Sequence, residues 1–422
     1  MSSNPLPTYL LPDCASSSPS GALKIGGILL EDLAEEFGTP LFVYDQEHIE
    51  QRCNEAVSSW GPGVAYATKA FLCKEMARLA YEMGMDLDVS TAGELYVALQ
   101  AGVQGSAIVL HGNNKSDEEL KLALDNSVGK IVIDSFDEIE RLRNLSRKCR
   151  VMIRVTPGIE AHTHEFVQTG QDDSKFGFGL KSQSAQKAVK LVEQISHLDL
   201  VGIHVHIGSQ IFAESSYALA LETVADFAKS LDIGEICIGG GLGVAYVEGE
   251  VAPSITSWAQ SVRDSANRVG IAPDVKLTAE PGRSIVAQAG ITLYSVGTIK
   301  DVSDSKTFVS VDGGMSDNPR PVLYGSGYEV FLPREYMVVR DKVVDVVGKH
   351  CESGDFIVKG ANIPADIEVG DILATPVSGA YGYSMASNYN KVPRPAVVFV
   401  RQGDARLVAR RETLEDLIRL DE

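Results

Sequence analysis

The sequence predicts an α/β protein: a parallel (β/α)8 barrel of the TIM type joined to a C-terminal β-domain that also takes in N-terminal strands. Two observations carry this. Between residues 45 and 285, eight short apolar runs alternate with longer amphipathic segments, the repeating unit of a parallel barrel. After Arg283 the runs become β-branched and are separated by Gly, Asp and Pro, with little helical periodicity. At 422 residues the chain is also too long for one ordinary domain.

Taken in order, residues 1–22 are rich in Ser and Pro (Ser16-Ser17-Ser18-Pro19) and are expected to form a mobile tail. Residues 23–44, which include Leu41-Phe42-Val43-Tyr44, are expected to lend strands to the β-domain. The barrel follows over 45–285, with strands at 64–67, 87–89, 108–110, 131–133, 151–155, 200–205, 235–238 and 275–279. Helix starts agree with that register. Thr91 with Glu94, Ser116 with Glu119 and Ser135 with Glu138 match the capping-box pattern, each just after an apolar run. The β-domain occupies 286–422, with strands at 291–296, 308–311, 343–347 and 396–400 and a closing helix over 412–420.

Composition narrows the function classes. Hydrophobic residues at 44% and charged residues at 23% are a globular balance. A net charge of −19 excludes nucleic acid and anionic membrane as partners, since both need basic surface, while leaving room for a local basic pocket. The cysteines at 14, 53, 73, 149, 237 and 351 form no CxxC pair, so free thiols and no metal site are expected. Nothing at the N-terminus resembles the basic start and apolar run of a signal peptide, and no run nears the ~20 apolar residues that span a bilayer. The expected location is the cytoplasm.

Reactive groups of a βα barrel sit at the carboxyl ends of its strands. Strand one ends Ala65-Tyr66-Ala67-Thr68-Lys69-Ala70. By itself Lys69 reads as a solvent-exposed loop lysine. Among small apolar neighbours at a barrel mouth it is instead an amine suited to a Schiff base with an aldehyde cofactor. Strand six carries His204 and His206, two apart and so on one face. No third ligand completes a metal set, and His206, nearer the strand end, suits stacking on a flat ring, with His204 a core histidine.

Strand seven runs into Gly239-Gly240-Gly241-Leu242-Gly243, where backbone amides can approach a phosphate closely. Strand eight ends Glu280-Pro281-Gly282-Arg283. A carboxylate there can keep a pyridine nitrogen protonated, and Arg283 can pair with a substrate carboxylate. Together these are what a pyridoxal phosphate enzyme requires of its protein. In the β-domain, Arg320 offers a second cation, and Cys351 beside Glu352 offers a proton donor, although a lone cysteine more often just fills a core.

The motifs YATKA (66–70), HTHEF (162–166), HVHIGSQ (204–210), GGGLG (239–243), EPGR (280–283), VDGGMSDNPRPVLYG (311–325), CESGD (351–355) and GAYGYSMASNYN (379–390) closely resemble the diaminopimelate decarboxylases. These belong to the alanine-racemase-like group of pyridoxal phosphate enzymes. The resemblance covers about residues 23–420 and implies a head-to-tail homodimer with sites shared between chains. It implies that Lys69 carries pyridoxal 5'-phosphate and that His206 stacks on the ring. Ser209, Gly240, Gly241, Pro281, the Gly282 amide, Arg283 and Tyr381 would hold the cofactor, and Glu280 would meet the pyridine nitrogen. Substrate would meet Arg283, Arg320, Tyr324 and Tyr381, with Glu352 and the proton donor Cys351 arriving from the second subunit. Two arginines favour a substrate with a distal carboxylate over ornithine or arginine. A racemase of the group would place arginine where Glu280 stands, and a non-catalytic cofactor carrier would need no CESGD segment. The glycines of 162–179 make that loop a candidate lid.

Overall fold

The computed structural model describes residues 4–159, 174–303 and 306–422. The chain forms two compact units: residues 52–244 with 252–284, and residues up to 51 with 245–251 and 285–422.

The first unit is the barrel. Its strands are Ala65–Ala67, Asp86–Val89, Ile108–Leu110, Lys130–Ile133, Cys149–Thr156, Leu198–Val205, Glu235–Cys237 and Lys276–Thr278, here counted one to eight. Neighbours pair in parallel and in chain order. The ring is closed between strand eight and strand one by Ala65 N–H to Ala279 O (3.0 Å) and Ala67 N–H to Pro281 O (3.1 Å). All eight predicted runs form strands, and those at 64–67, 87–89, 108–110, 131–133, 151–155 and 235–238 are buried throughout, so their apolarity is continuous rather than alternating. Val109, Val132, Met152 and Cys237 pack together from strands three, four, five and seven.

All three predicted helix caps form. Ser116 and Glu119 make the full reciprocal box. Thr91 and Ser135 accept from the amides of Glu94 and Glu138, but those glutamates reach one residue further back, to the amides of Ser90 and Asp134. Glu138 is thereby buried, and Lys115 meets it at 2.8 Å. That lysine also donates to the Gly112 and Val132 carbonyls, so a charge inside the barrel wall is fully partnered.

The second unit holds a mixed sheet in the order Phe356–Ile363, Lys342–Val347, Lys306–Val311, Gly290–Ser303, Leu41–Asp45, Ala396–Arg401, Asp404–Ala409, with Ile372–Thr375 also on Gly290–Ser303. Leu41–Asp45, expected to join this domain, lies mid-sheet and is wholly buried.

Two expectations are corrected. The N-terminal segment is packed rather than a mobile tail: Leu6, Leu10 and Leu11 are buried, and Ser16–Ser17 pairs with Leu23–Ile25. The closing helix at 412–420 reduces to one turn of 3-10 helix, Asp416–Ile418. Leu414, Ile418 and Leu420 are all exposed, so no apolar face is buried to offset the ordering cost of a short helix. Its polar groups are instead taken by Arg394 on Glu412 and Arg410 on Asp416.

Candidate active site

Strands six, seven and eight end in loops that are laced together. Ile211 N–H donates to Gly241 O (2.9 Å), Gly243 N–H to Ile211 O (2.9 Å) and Glu280 N–H to Gly239 O (2.8 Å). The glycine run is a steric necessity. A Cβ on Gly240 would lie 2.2 Å from Glu280 O, and one on Gly241 would lie 2.0 Å from Gly208 O. Gly241 also sits at φ +102°, where an L side chain is strained. Gly282 would meet Ala67 O at 2.9 Å.

His206 directly follows strand six, whose last residue is Val205. Its Nδ1 accepts from Gly240 N–H at 3.2 Å, so in that contact Nδ1 carries no proton. Burial, then the nearby charges of Lys69, Arg154 and His204, hold its pKa well below the usual imidazole value. A neutral, fixed, half-buried ring results. Arg283, buried, donates to Ser209 Oγ at 2.9 Å, joining two predicted site residues.

Glu280 is buried with both oxygens engaged: Oε1 lies 2.8 Å from His111 Nε2 and Oε2 2.9 Å from His204 Nε2. Burial pushes its pKa up, but the two imidazoles outweigh burial and hold the carboxyl well below its usual range. This is an anion at physiological pH.

Lys69 is exposed on a 3-10 turn directly after strand one. Its surroundings differ from the expected apolar set, because two acids share its field. Asp88 is pushed up to about 6, by burial above all, with His111, then Lys69, pulling the other way. Burial likewise raises Glu94, opposed by the Ser90 amide and by Lys69.

Sequence reasoning missed His111, Asp88, Glu94 and Arg154. His111 directly follows strand three, so the strand-end rule that found Lys69 and Glu280 reaches it too. Glu94 was read only as a cap, but it also lies in the field of Lys69 and His111. Arg154, buried in strand five, pairs with Asp134 at 3.3 Å.

Within the second unit, Arg320 is buried with its guanidinium 4.1 Å from the Tyr246 ring centroid and 5.3 Å from that of Tyr328, whose hydroxyl accepts from it. Burial works against its charge, and Tyr246, Tyr328 and Tyr381 outweigh that to keep it a firm cation. Tyr381 is half-buried at φ +65°. Tyr324 closes the short helix Arg320–Tyr324. Cys351 and Glu352 are both exposed. HTHEF and most of the candidate lid lie outside the described residues; of the rest, Phe178–Gly179 pairs with strand five.

Residues 46–287 match the pyridoxal binding domain of the pyridoxal-dependent decarboxylases, which gives the barrel its class. Over 425 residues the chain is 47% identical to a diaminopimelate decarboxylase of Mycobacterium tuberculosis, covering 95% of each. The crystal structure of diaminopimelate decarboxylase from M. jannaschii superposes with a TM-score of 0.90 at 31% identity, covering 97% of this chain and 98% of that one. That of Helicobacter pylori, complexed with L-lysine, gives 0.84 at 33%, covering 93% and 98%. The chain belongs to the diaminopimelate decarboxylase family and is a pyridoxal phosphate-dependent carboxy-lyase.

The barrel fits that cofactor. Gly241 leaves room that a Cβ would fill, Lys69 presents an exposed amine, and Glu280 is an anion that favours a protonated ring nitrogen.

Proposed function

We propose that this chain decarboxylates meso-2,6-diaminopimelate to L-lysine and carbon dioxide, the last step of lysine biosynthesis. The observation that carries the chemistry is the ionised, doubly hydrogen-bonded Glu280 at the mouth of a barrel whose first strand ends in Lys69. Bound pyridoxal phosphate supplies an electron-poor ring that accepts the electron pair left by a departing carboxylate.

The chain's own residues set up that step. Lys69 would hold the cofactor covalently through its amine. Glu280 would keep the ring nitrogen protonated, and the neutral His206 would help to hold the ring. Ser209, Gly240, Gly241, Pro281, Gly282 and Tyr381 hold the phosphate end. Arg283, Arg320, Tyr324 and Tyr381 take the substrate. Arg320, 4.1 Å from the Tyr246 ring centroid and donating to Tyr328, has further N–H donors for a carboxylate, which suits a substrate with acids at both ends. Cys351 returns a proton to Cα, and Glu352 orients the distal amino acid group.

The enzyme is proposed to be a cytoplasmic homodimer in which Cys351 and Glu352 serve the other subunit's site. Their exposure supports this, as does the exposed Leu323 on the Arg320–Tyr324 helix. No helix among the described residues is long and apolar enough to cross a membrane. Co-expressing Lys69→Ala with Cys351→Ala chains separates the alternatives. Random pairing of two dead chains should restore about a quarter of wild-type activity, since half the dimers would hold one intact site. Sites confined to one chain would stay dead.

The substrate test is product analysis by mass spectrometry after incubation with pyridoxal phosphate and, separately, meso-diaminopimelate, ornithine, arginine or alanine. Lysine from diaminopimelate alone is expected. Putrescine, agmatine or D-alanine would overturn the reading of the two arginines.

A further inference from the structure

We propose that His111 and His204 are positioning residues, a two-sided clamp that fixes the charge and orientation of Glu280 so that it can keep a ring nitrogen protonated. This rests on the reading of Glu280 given above.

The clamp spans the barrel interior. Its members come from strands three, six and eight, none adjacent to another, so the carboxylate is gripped from separate parts of the wall. An ionised carboxylate only accepts, so both Nε2 atoms must carry protons. The two imidazoles stand edge to face, centroids 4.7 Å apart and planes at 70°, which leaves each N–H its own oxygen. Each oxygen keeps one lone pair for a further donor.

The two histidines are not equivalent. His204 is buried, and its Nδ1 has no hydrogen-bond partner among the described residues. His111 Nε2 lies 3.7 Å from Asp88 Oδ1 as well as 2.8 Å from Glu280, and stands between two carboxylates. Arg154, on strand five, adds a cation to the same field, Cys237 borders it from strand seven, and Lys69 and His206 complete it at the mouth. The two imidazoles each meet Glu280 directly.

The experiment loads the enzyme with pyridoxal phosphate isotopically labelled at the ring nitrogen, whose chemical shift reports its proton directly. His111→Phe and His204→Phe remove a donor each, and His111→Gln and His204→Gln keep an N–H at similar reach. His111→Asn and His204→Asn, too short to reach, replace the Phe variants if those fail to fold. The donor-less variants should move the shift toward the unprotonated value and cut kcat by roughly 10- to 100-fold, as loss of supporting hydrogen bonds does elsewhere. KM should stay within about twofold, because the clamp does not touch substrate, and the Gln variants should recover the wild-type shift. If Glu280→Gln moves the shift and the donor-less variants do not, the clamp is overturned. Gln variants as impaired as the Phe variants would overturn it too. No movement in any variant, Glu280→Gln included, would overturn the Glu280 reading together with the clamp.

Discussion

Glu280→Gln is expected to lower turnover on meso-diaminopimelate by roughly 10²- to 10³-fold, the scale of losing one preorganised electrostatic group at a reacting centre. Glutamine fills the same volume, so packing is kept. Its amide is neutral and no longer favours a cationic ring. It also turns a donor toward one of the two imidazole N–H groups, which now face Oε1 at 2.8 Å and Oε2 at 2.9 Å. One imidazole must then change tautomer or lose its partner, at about 1–3 kcal/mol for a buried group left unsatisfied. A modest fall in the thermal midpoint should therefore accompany a large fall in kcat. Steady-state kinetics beside a melting curve check this. A folded, cofactor-loaded variant with undiminished turnover would remove Glu280 from the chemistry.

The barrel was legible because most of its strands are buried on both faces. Continuous apolar runs such as Ile131-Val132-Ile133 mark each one, and hydroxyl caps such as Ser116 mark the following helix. The β-unit was only half legible. Phe356–Ile363 and Asp404–Ala409 mix lysine, asparagine and arginine among their apolar residues, which left no continuous run to read. The supposed final helix failed for the complementary reason. Its sequence has a helical spacing of leucines, but spacing stabilises a helix only where the stripe is covered.

The site divides along the same line. Lys69, Glu280 and the glycines lie at strand ends, where chain position alone points to chemistry. What the sequence did not reveal is which groups answer them across the ring. His111 and Glu280 are 169 residues apart, and their hydrogen bond exists only because the barrel closes. His204 was read as a core histidine, and it is buried as expected, yet its Nε2 is committed to Glu280. Burial and function coincide there, since a carboxylate can be held ionised in a closed interior only if donors are buried with it.

Gly241→Ala is expected to abolish tight pyridoxal phosphate binding, weakening it by at least about 100-fold, while the barrel still folds. The added Cβ would lie 2.0 Å from Gly208 O, a backbone atom that cannot rotate away. At φ +102° the alanine is strained even without that contact. Relief requires the 239–243 loop to part from the 208–211 loop, and the Ile211 N–H to Gly241 O bond (2.9 Å) goes with it. Gly240, whose N–H orients His206, is drawn along. Two binding elements thus move together, which is why the loss should exceed that of a single hydrogen bond, about 1.4 kcal/mol per tenfold in affinity. Gly270→Ala is the control. It shares a positive φ, +71°, but ends the helix Ile255–Val269 with nothing within 4 Å of a new Cβ. It should cost about 1 kcal/mol in stability and leave cofactor affinity unchanged. Titrating both cofactor-free variants with pyridoxal phosphate separates local strain from cradle geometry. Equal affinities would mean that the cradle tolerates an opened loop and that the phosphate is held chiefly by side chains such as Ser209.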